Sequence, residues 1–227
     1  IRATLCALAV GLGLSAAALA QTYPNKPVRV VIPFPPGGTN DIVARPVAGQ
    51  LAEILGQPFV VDNRGGASGN IGTSLCAKTP ADGYTIASAS AGPLSVNPSV
   101  YKNLPYDPLR DFTNIARVCD FPLLLLVHPS LPVKNMRELI ALSKSKAGQM
   151  SYGSSGAGNS DHLAAELLKM MAKLDVVHIP YKGAGPMSIA LLAGEVPLAF
   201  SSIPPVLQQV RAGKLRALAV GSGKRIP

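Results

Sequence analysis

Two stretches put glycines beside hydroxyl and carboxylate side chains where an apolar run gives way to a helical pattern. The first, "PFPPGGTND", brings Pro36, Gly37, Gly38, Thr39, Asn40 and Asp41 together after the run 28–34. The second, "GSSGAGNSD", brings Ser154, Ser155, Gly158, Asn159, Ser160 and Asp161 together after Ser151 and Tyr152. Backbone N–H groups, small hydroxyl donors and the positive end of a helix suit an anion. Glycine lets the backbone approach it closely. The plain alternative for either loop is a tight turn with an ordinary cap. Two such loops in one chain, one per half, weigh against it.

Other chemistry is weaker. "RGGASGNIG" follows a strand pattern but does not fit G-x-G-x-x-G, and no Walker lysine–serine pair exists, so it reads as structural. "GSGK" near the end lacks the upstream glycine and the following Ser or Thr. Arg45 and Arg64 could fork onto a carboxylate or simply brace the fold, and Lys182 could line a cleft mouth. His162 follows Asp161, with Ser154 and Ser155 nearby, but no G-x-S-x-G elbow is present. Adjacent Asp and His side chains on a helix do not face each other. His128 and His178 sit at strand ends without ligand-spaced partners. No metal site and no cofactor are expected. Cys76 and Cys119 could form a bridge, but their apolar neighbours suit two buried free thiols.

The elements that must position these residues alternate. Strands are expected at 28–34, 59–61, 85–89, 151–152, 176–179, 196–200 and 215–220. Helices are expected at 41–55, 70–78, 136–145, 161–174, 187–193 and 206–212. In the helix 41–55, Val43, Val47, Leu51 and Leu55 form one stripe, Gly56 is the stop, and Pro46 predicts a late start or a kink. The stretch "SASAGPLSVNPSVY" reads as an irregular loop, and 115–118 and 123–127 as extended segments around Pro122. Alternation of this kind argues for mostly parallel sheets covered by helices on both faces. The break at 118–123 divides the chain into two lobes, residues 21–118 and 119–227. Ligands of open α/β sheets bind at the carboxyl ends of strands, where both loops fall.

The chain has 227 residues, 48% of them hydrophobic, enough for a sizeable core. Residues 1–20 read as a signal peptide: Arg2, an apolar core from Leu5 to Leu14, and an Ala18-Leu19-Ala20 cleavage site. The absence of an initial Met suggests an incomplete N-terminus, and a last strand without a following helix suggests a shortened C-terminus. Setting aside 1–20 removes only Arg2 from the 21 Lys and Arg, leaving +8 from a formal +9. A basic exported protein can meet anionic solutes. The charges are scattered and the aromatics few, so nucleic acid is not an expected partner.

The motifs "YPNKPVRVVIPFPPGGTNDIVAR", "LGQPFVVDNRGGASGNIGT", "ADGYTI", "NPSVY", "YGSSGAGNSDHLAAELL", "HIPYKGAGP" and "AGKLRALAV" resemble the Bug family. These are the extracytoplasmic receptors of tripartite tricarboxylate transporters. The resemblance implies a two-lobed, Venus-flytrap periplasmic binding protein, a monomer. It would hold a small carboxylate in its cleft and hand it to membrane permease subunits. It implies ligand contacts from Pro36, Gly37, Gly38, Thr39 and Asp41 on one side and Ser154, Ser155, Gly158, Asn159 and His162 on the other. Ser88, Ser90 and Gly92 would line the cleft. Family members often carry an acid after the strand here written "VPLAF"; this chain has Ser201 and Ser202, with Ser201 as the expected lining residue. That departure weighs against an amino-acid ligand and toward a di- or tricarboxylate or an aromatic acid. The competing class is an exported α/β hydrolase or transferase acting on an organic acid. An enzyme needs a nucleophile or base with an orienting partner, which these residues do not assemble, so no enzymatic activity is expected.

Overall fold

The computed structural model describes residues 22–224. The expected signal segment, Cys6 within it and the end of "GSGKRIP" lie outside the described residues. The chain runs β1 (Val28–Ile32), α1 (Thr39–Leu55), β2 (Phe59–Asn63), a 3-10 turn (Ala67–Gly69), α2 (Asn70–Ala77), β3 (Thr85–Ala87), a π-type turn (Gly92–Val96) and α3 (Asn97–Val100). An irregular stretch leads to β4 (Leu123–Val127), α4 (Met136–Ser145), β5 (Ser151–Ser154), α5 (Ser160–Ala172), β6 (Val177–Pro180), α6 (Ala184–Ala193), β7 (Leu198–Ser202), α7 (Leu207–Arg211) and β8 (Arg216–Val220). Two sheets result. The first has order β2-β1-β3 and is all parallel. The second has order β6-β5-β7-β4-β8. In it β5 is parallel to β6 and β7, while β4 is antiparallel to β7 and β8. The expected α/β class with mostly parallel sheets is what forms.

The second sheet is buried on both faces, and β4 shows why its sequence is the run LLLLV. Leu125 and Val127 point to one side, among Leu139, Tyr152 and Ala165. Leu126 points to the other, among Met187, Leu191 and Val206. A strand covered on both faces needs apolar residues at every position, not at alternate ones. Asn135 and Glu138 start α4 with a reciprocal box. The Glu138 N–H donates to Asn135 Oδ1 at 3.0 Å, and Asn135 Nδ2 donates to Glu138 Oε1 at 2.7 Å.

Several elements depart from expectation, each for a physical reason. Helix α1 begins at Thr39 and runs through Pro46 without the late start. Pro46 lies on the solvent side, where the carbonyl that loses its helical partner is not sealed from solvent. The expected stripe of Val43, Val47, Leu51 and Leu55 is not the packed face. Asp41, Ala44 and Ala48 are buried instead, while Val47 and Leu55 are exposed. Asp41 reaches back to the Gly37 N–H at 3.0 Å. That tether turns the alanine face toward the sheet and Val43 toward the cleft. The "irregular" stretch 88–101 is largely helical, with prolines at the first positions of both turns. Segment 115–118 is not a strand; no strand among the described residues pairs with it, and Ile115 and Val118 are exposed. Strand β7 lies two residues later than expected, because Pro197 has no N–H for the ladder and its carbonyl accepts from His128 N instead. No described helix is long and apolar enough to cross a membrane.

Truncating Leu126, which is fully buried in the second sheet, to alanine should cost about 2–5 kcal/mol. Ile54→Ala on the 74% exposed side of α1 should cost no more than about 0.5 kcal/mol. Urea unfolding of the two variants checks both.

Candidate functional site

A cleft of about 1050 Å³ lies between the carboxyl ends of the two sheets. Three helices open into it at their first residues: Thr39 of α1, Ser160 of α5 and Ala184 of α6. None of the three has a side-chain N-cap hydrogen bond, whereas α4, which starts away from the cleft, is capped by Asn135. A helix start leaves up to four N–H groups without intrahelical partners and carries a partial positive charge of about half an electron.

Each ligand loop is folded around a carboxylate of its own helix. Asp41 accepts the Gly37 N–H, an Asn63 amide proton at 2.9 Å and the Arg45 guanidinium at 2.9 and 3.0 Å. Burial opposes the Asp41 charge, but these hydrogen bonds outweigh it and hold the carboxyl below its ordinary value. Arg45 is therefore part of the brace. Asp161 accepts the Ser155 N–H at 2.5 Å and its hydroxyl at 2.8 Å. Here burial wins, and the carboxyl is pushed up despite the Ser155 bonds. The expectation that the loops present their N–H groups to a ligand is thus corrected in part. Those of Gly37, Ser155, Gly156 and Gly158 are turned inward to side-chain acceptors.

Of the residues expected at the site, the structure brings Gly38, Thr39, Ser88, Ser90, Gly92, Ser155, Asn159 and Ser201 to the cleft wall. Pro36, Gly37, Asp41, Ser154, Gly158 and His162 lie outside that lining. Ser154 is wholly buried, with its hydroxyl 2.6 Å from His178 Nε2. This is a nucleophile–base pairing in distance only, because the hydroxyl does not face the cleft. His162 accepts from Gly158 N–H at 3.2 Å behind the loop. The glycines of "RGGASGNIG" pack on Pro35, Ile71, Pro93 and Pro33 and do not line the cleft. Ser160, one of the hydroxyls expected to donate, lines it too, as do Asn40, Asp161 and Ser202, each of which adjoins an expected contact. Arg110, Phe112, Arg117 and Phe121 also line it; no local pattern marks this irregular stretch. Cys76 and Cys119 are free, and both border the cleft. Cys119 is exposed, not buried, because segment 115–118 lies open. Among the described residues no cluster of three or more His, Cys, Asp or Glu could hold a metal.

The walls of the cleft meet through glycines and hydroxyls. Thr39 Oγ1 and Ser202 Oγ are hydrogen-bonded across it. A methyl at Gly183 would stand 2.9 Å from Pro35 Cδ, and one at Gly158 would stand 2.9 Å from Asn97 Oδ1. A two-lobed α/β frame with a cleft where helix starts converge is the architecture of a solute-binding receptor of the periplasmic-binding-protein class. The profile of the tripartite tricarboxylate transporter family receptor, TctC, matches residues 43–227, and the chain belongs to that family. It is 42% identical to Protein BugT of Bordetella pertussis over 94% of this chain. It spans 66%, just under two thirds, of that relative's length. Among solved structures, R. palustris Rpa4515 with adipate shares 41% identity at a TM-score of 0.88, over 89% of this chain and 68% of that one. MatC of Rhodopseudomonas palustris with bound malate shares 30% at 0.84, over 89% and 69%. The family and fold are those of periplasmic receptors and not of enzymes.

A methyl at Gly92 would collide with Asn159 Oδ1. Gly92→Ala should therefore cost about 1–3 kcal/mol in urea unfolding. Burial first, and then the neighbouring His162, push His178 down from 6.5 to about 4. The folded state thus favours neutral His178. Its contribution to stability is fully present above 6.5 and is lost as pH falls toward about 4. Unfolding followed across that window should show stability declining with acid, with a shallower slope in His178→Phe.

Proposed function

We propose that the chain is the solute-binding part of a periplasmic receptor that closes two lobes around a small organic acid. It delivers the acid to the membrane permease subunits of a tripartite tricarboxylate transporter. The observation that carries this reading is the convergence of three uncapped helix starts on one cleft. Their N–H groups can take the oxygens of a carboxylate, as helix starts take anions generally. Thr39, Ser88 and Ser90 add hydroxyls, and Asn40 and Asn159 add amides; the Ser155 and Ser201 hydroxyls already donate to Asp161 and to Ser202 O and shape the wall.

The lobes in this reading are residues 21–118 and 119–227, with 1–20 as an export signal. The protein acts as a monomer, without cofactor, metal or nucleic acid. Ser201 and Ser202 end β7 with hydroxyls and provide no anion for a ligand ammonium. That supports a di- or tricarboxylate or an aromatic acid over an amino acid. The adipate and malate bound by the two solved relatives are the natural first probes.

Thr39→Val and Ser155→Ala should each weaken binding of the tightest acid in a calorimetric panel. The loss should be about 0.5–1.5 kcal/mol, rising to about 3 where the contact is to a charged oxygen. Unchanged affinity in both variants would remove the loops from the site.

A further inference from the structure

Behind the second ligand loop lies a stack of three rings that solute binding leaves unexplained. Tyr152 of β5 lies nearly parallel to His178 of β6, with centroids 4.9 Å apart. His178 meets His162 of α5 at 4.2 Å, tilted by 31°. Both histidines grip the chain between β5 and α5. The Gly158 N–H donates to His162 Nδ1 at 3.2 Å. The Ser154 hydroxyl sits 2.6 Å from His178 Nε2 and accepts the Gly156 N–H at 3.2 Å. Gly156 and Gly158 have φ of +136° and +86°, conformations that only glycine adopts comfortably. The two glycines that give the loop its shape are thus held by their N–H groups.

The two contacts differ in what they demand of the rings. The Ser154 oxygen has two lone pairs, so accepting from Gly156 leaves it able either to donate to His178 Nε2 or to accept from it. Burial, then His162 and Lys169, keep His178 neutral down to about pH 4, with Glu166 opposing. His162 must leave Nδ1 bare to accept from Gly158. A second ring proton would set N–H against N–H there. The charged and titratable groups around it are Asp161, Glu166 and Lys169 of α5, Tyr152 of β5 and His178 of β6. Glu166 is already committed, accepting Tyr152 O–H at 2.5 Å and Lys169 Nζ at 2.7 Å.

We infer that His162 is a positioning residue for the second ligand loop: neutral, it pins Gly158 and so holds Ser155 and Asn159 at the cleft; protonated, it frees the loop and weakens carboxylate binding. The inference rests on the carboxylate reading and adds its regulation.

The test follows the Gly158 amide and the His162 ring by NMR from about pH 8 to about pH 5.5. Calorimetry with adipate and malate at both ends is run on the wild type, His162→Gln and His162→Leu. The Gly158 amide should move with the His162 titration, and the wild type should bind about tenfold more weakly in acid. Glutamine offers Gly158 an uncharged acceptor, so it should rescue binding to within about threefold at both ends and flatten the pH dependence. Leucine offers none, so it should bind weakly at both. Asp161 and the probes' own carboxylates titrate in wild type and His162→Gln alike, so their difference belongs to His162. Equal pH dependence in those two proteins, or a Gly158 amide indifferent to His162, overturns the inference. So does tighter binding in acid, which would mean that the ring acts on the anion through its charge alone. If neither acid binds, and no tricarboxylate or aromatic acid of the panel binds at either pH, the carboxylate reading itself falls, and the Gly158 signal then judges the pinning by itself.

Discussion

A site built from helix starts faces one constraint: the N–H groups that would serve the ligand must stay unpaired, yet the loop leading into them must be rigid. Side-chain caps would stiffen the loop and consume the donors together. The chain separates the two tasks. Asp41, buried behind its loop, and Asp161, buried at the cleft wall, stand in the first turns of α1 and α5 and take N–H groups of the approach, those of Gly37 and Ser155. Neither helix carries a side-chain N-cap. The packing of α1 follows from this choice. Once Asp41 must point inward, Ala44 and Ala48, three and seven residues on, must face the sheet.

The two braces are not electrostatically alike. Asp41 has Arg45 within 3 Å, and its carboxyl is held low. Asp161 borders the cleft and is held by Ser155, with burial raising its carboxyl. An acid that resists ionising suits a wall facing another carboxylate, because two unscreened negative charges at close range repel strongly in a low-dielectric setting. The second loop therefore combines a reluctant acid, a buried Ser154 and two stacked histidines under one short stretch of glycine-rich chain. The first loop relies on one ion pair. The lobe with the firmer brace is fixed by charge, the other by neutral hydrogen bonds.

Local patterns carried much of this. Gly56 ends α1 in the left-handed conformation, and α4 spans the residues its spacing predicts, because a cap, a period and a C-terminal lysine agree there. Both loops were legible because β-rich runs, glycine, small hydroxyls and a following helix recur in one order. What was not legible depends on distant residues. The α1 stripe lost to a tether between Asp41 and Gly37. The helical turns at 92–100 depend on Asn97, whose amide bonds Ser68 O and Asn70 Oδ1. The contribution of residues 110–121 to the cleft has no local signature. His162 is expected as a ligand contact, but it lies outside the cleft lining and accepts the Gly158 N–H.

Charge in the cleft is distributed in a way that composition hides. The formal charge is +9, yet the two arginines at the wall are largely exposed and paired with their own neighbours, Arg110 with Asp107 and Arg117 with Asp120. Exposed pairs of this kind are worth at most about 1 kcal/mol, and they are not presented as bidentate clamps. In the proposed reading the partners of an anion in the inner cleft are dipoles: helix N–H groups, hydroxyls and amides. Dipoles fixed by the fold need no reorganisation when an anion arrives, and they serve without a cation that would have to be desolvated. The excess of lysine and arginine elsewhere acts at longer range, attracting organic anions toward the protein. In that reading discrimination is left to the uncharged lining, where Thr39, Ser155 and Ser201 are small side chains on the cleft wall.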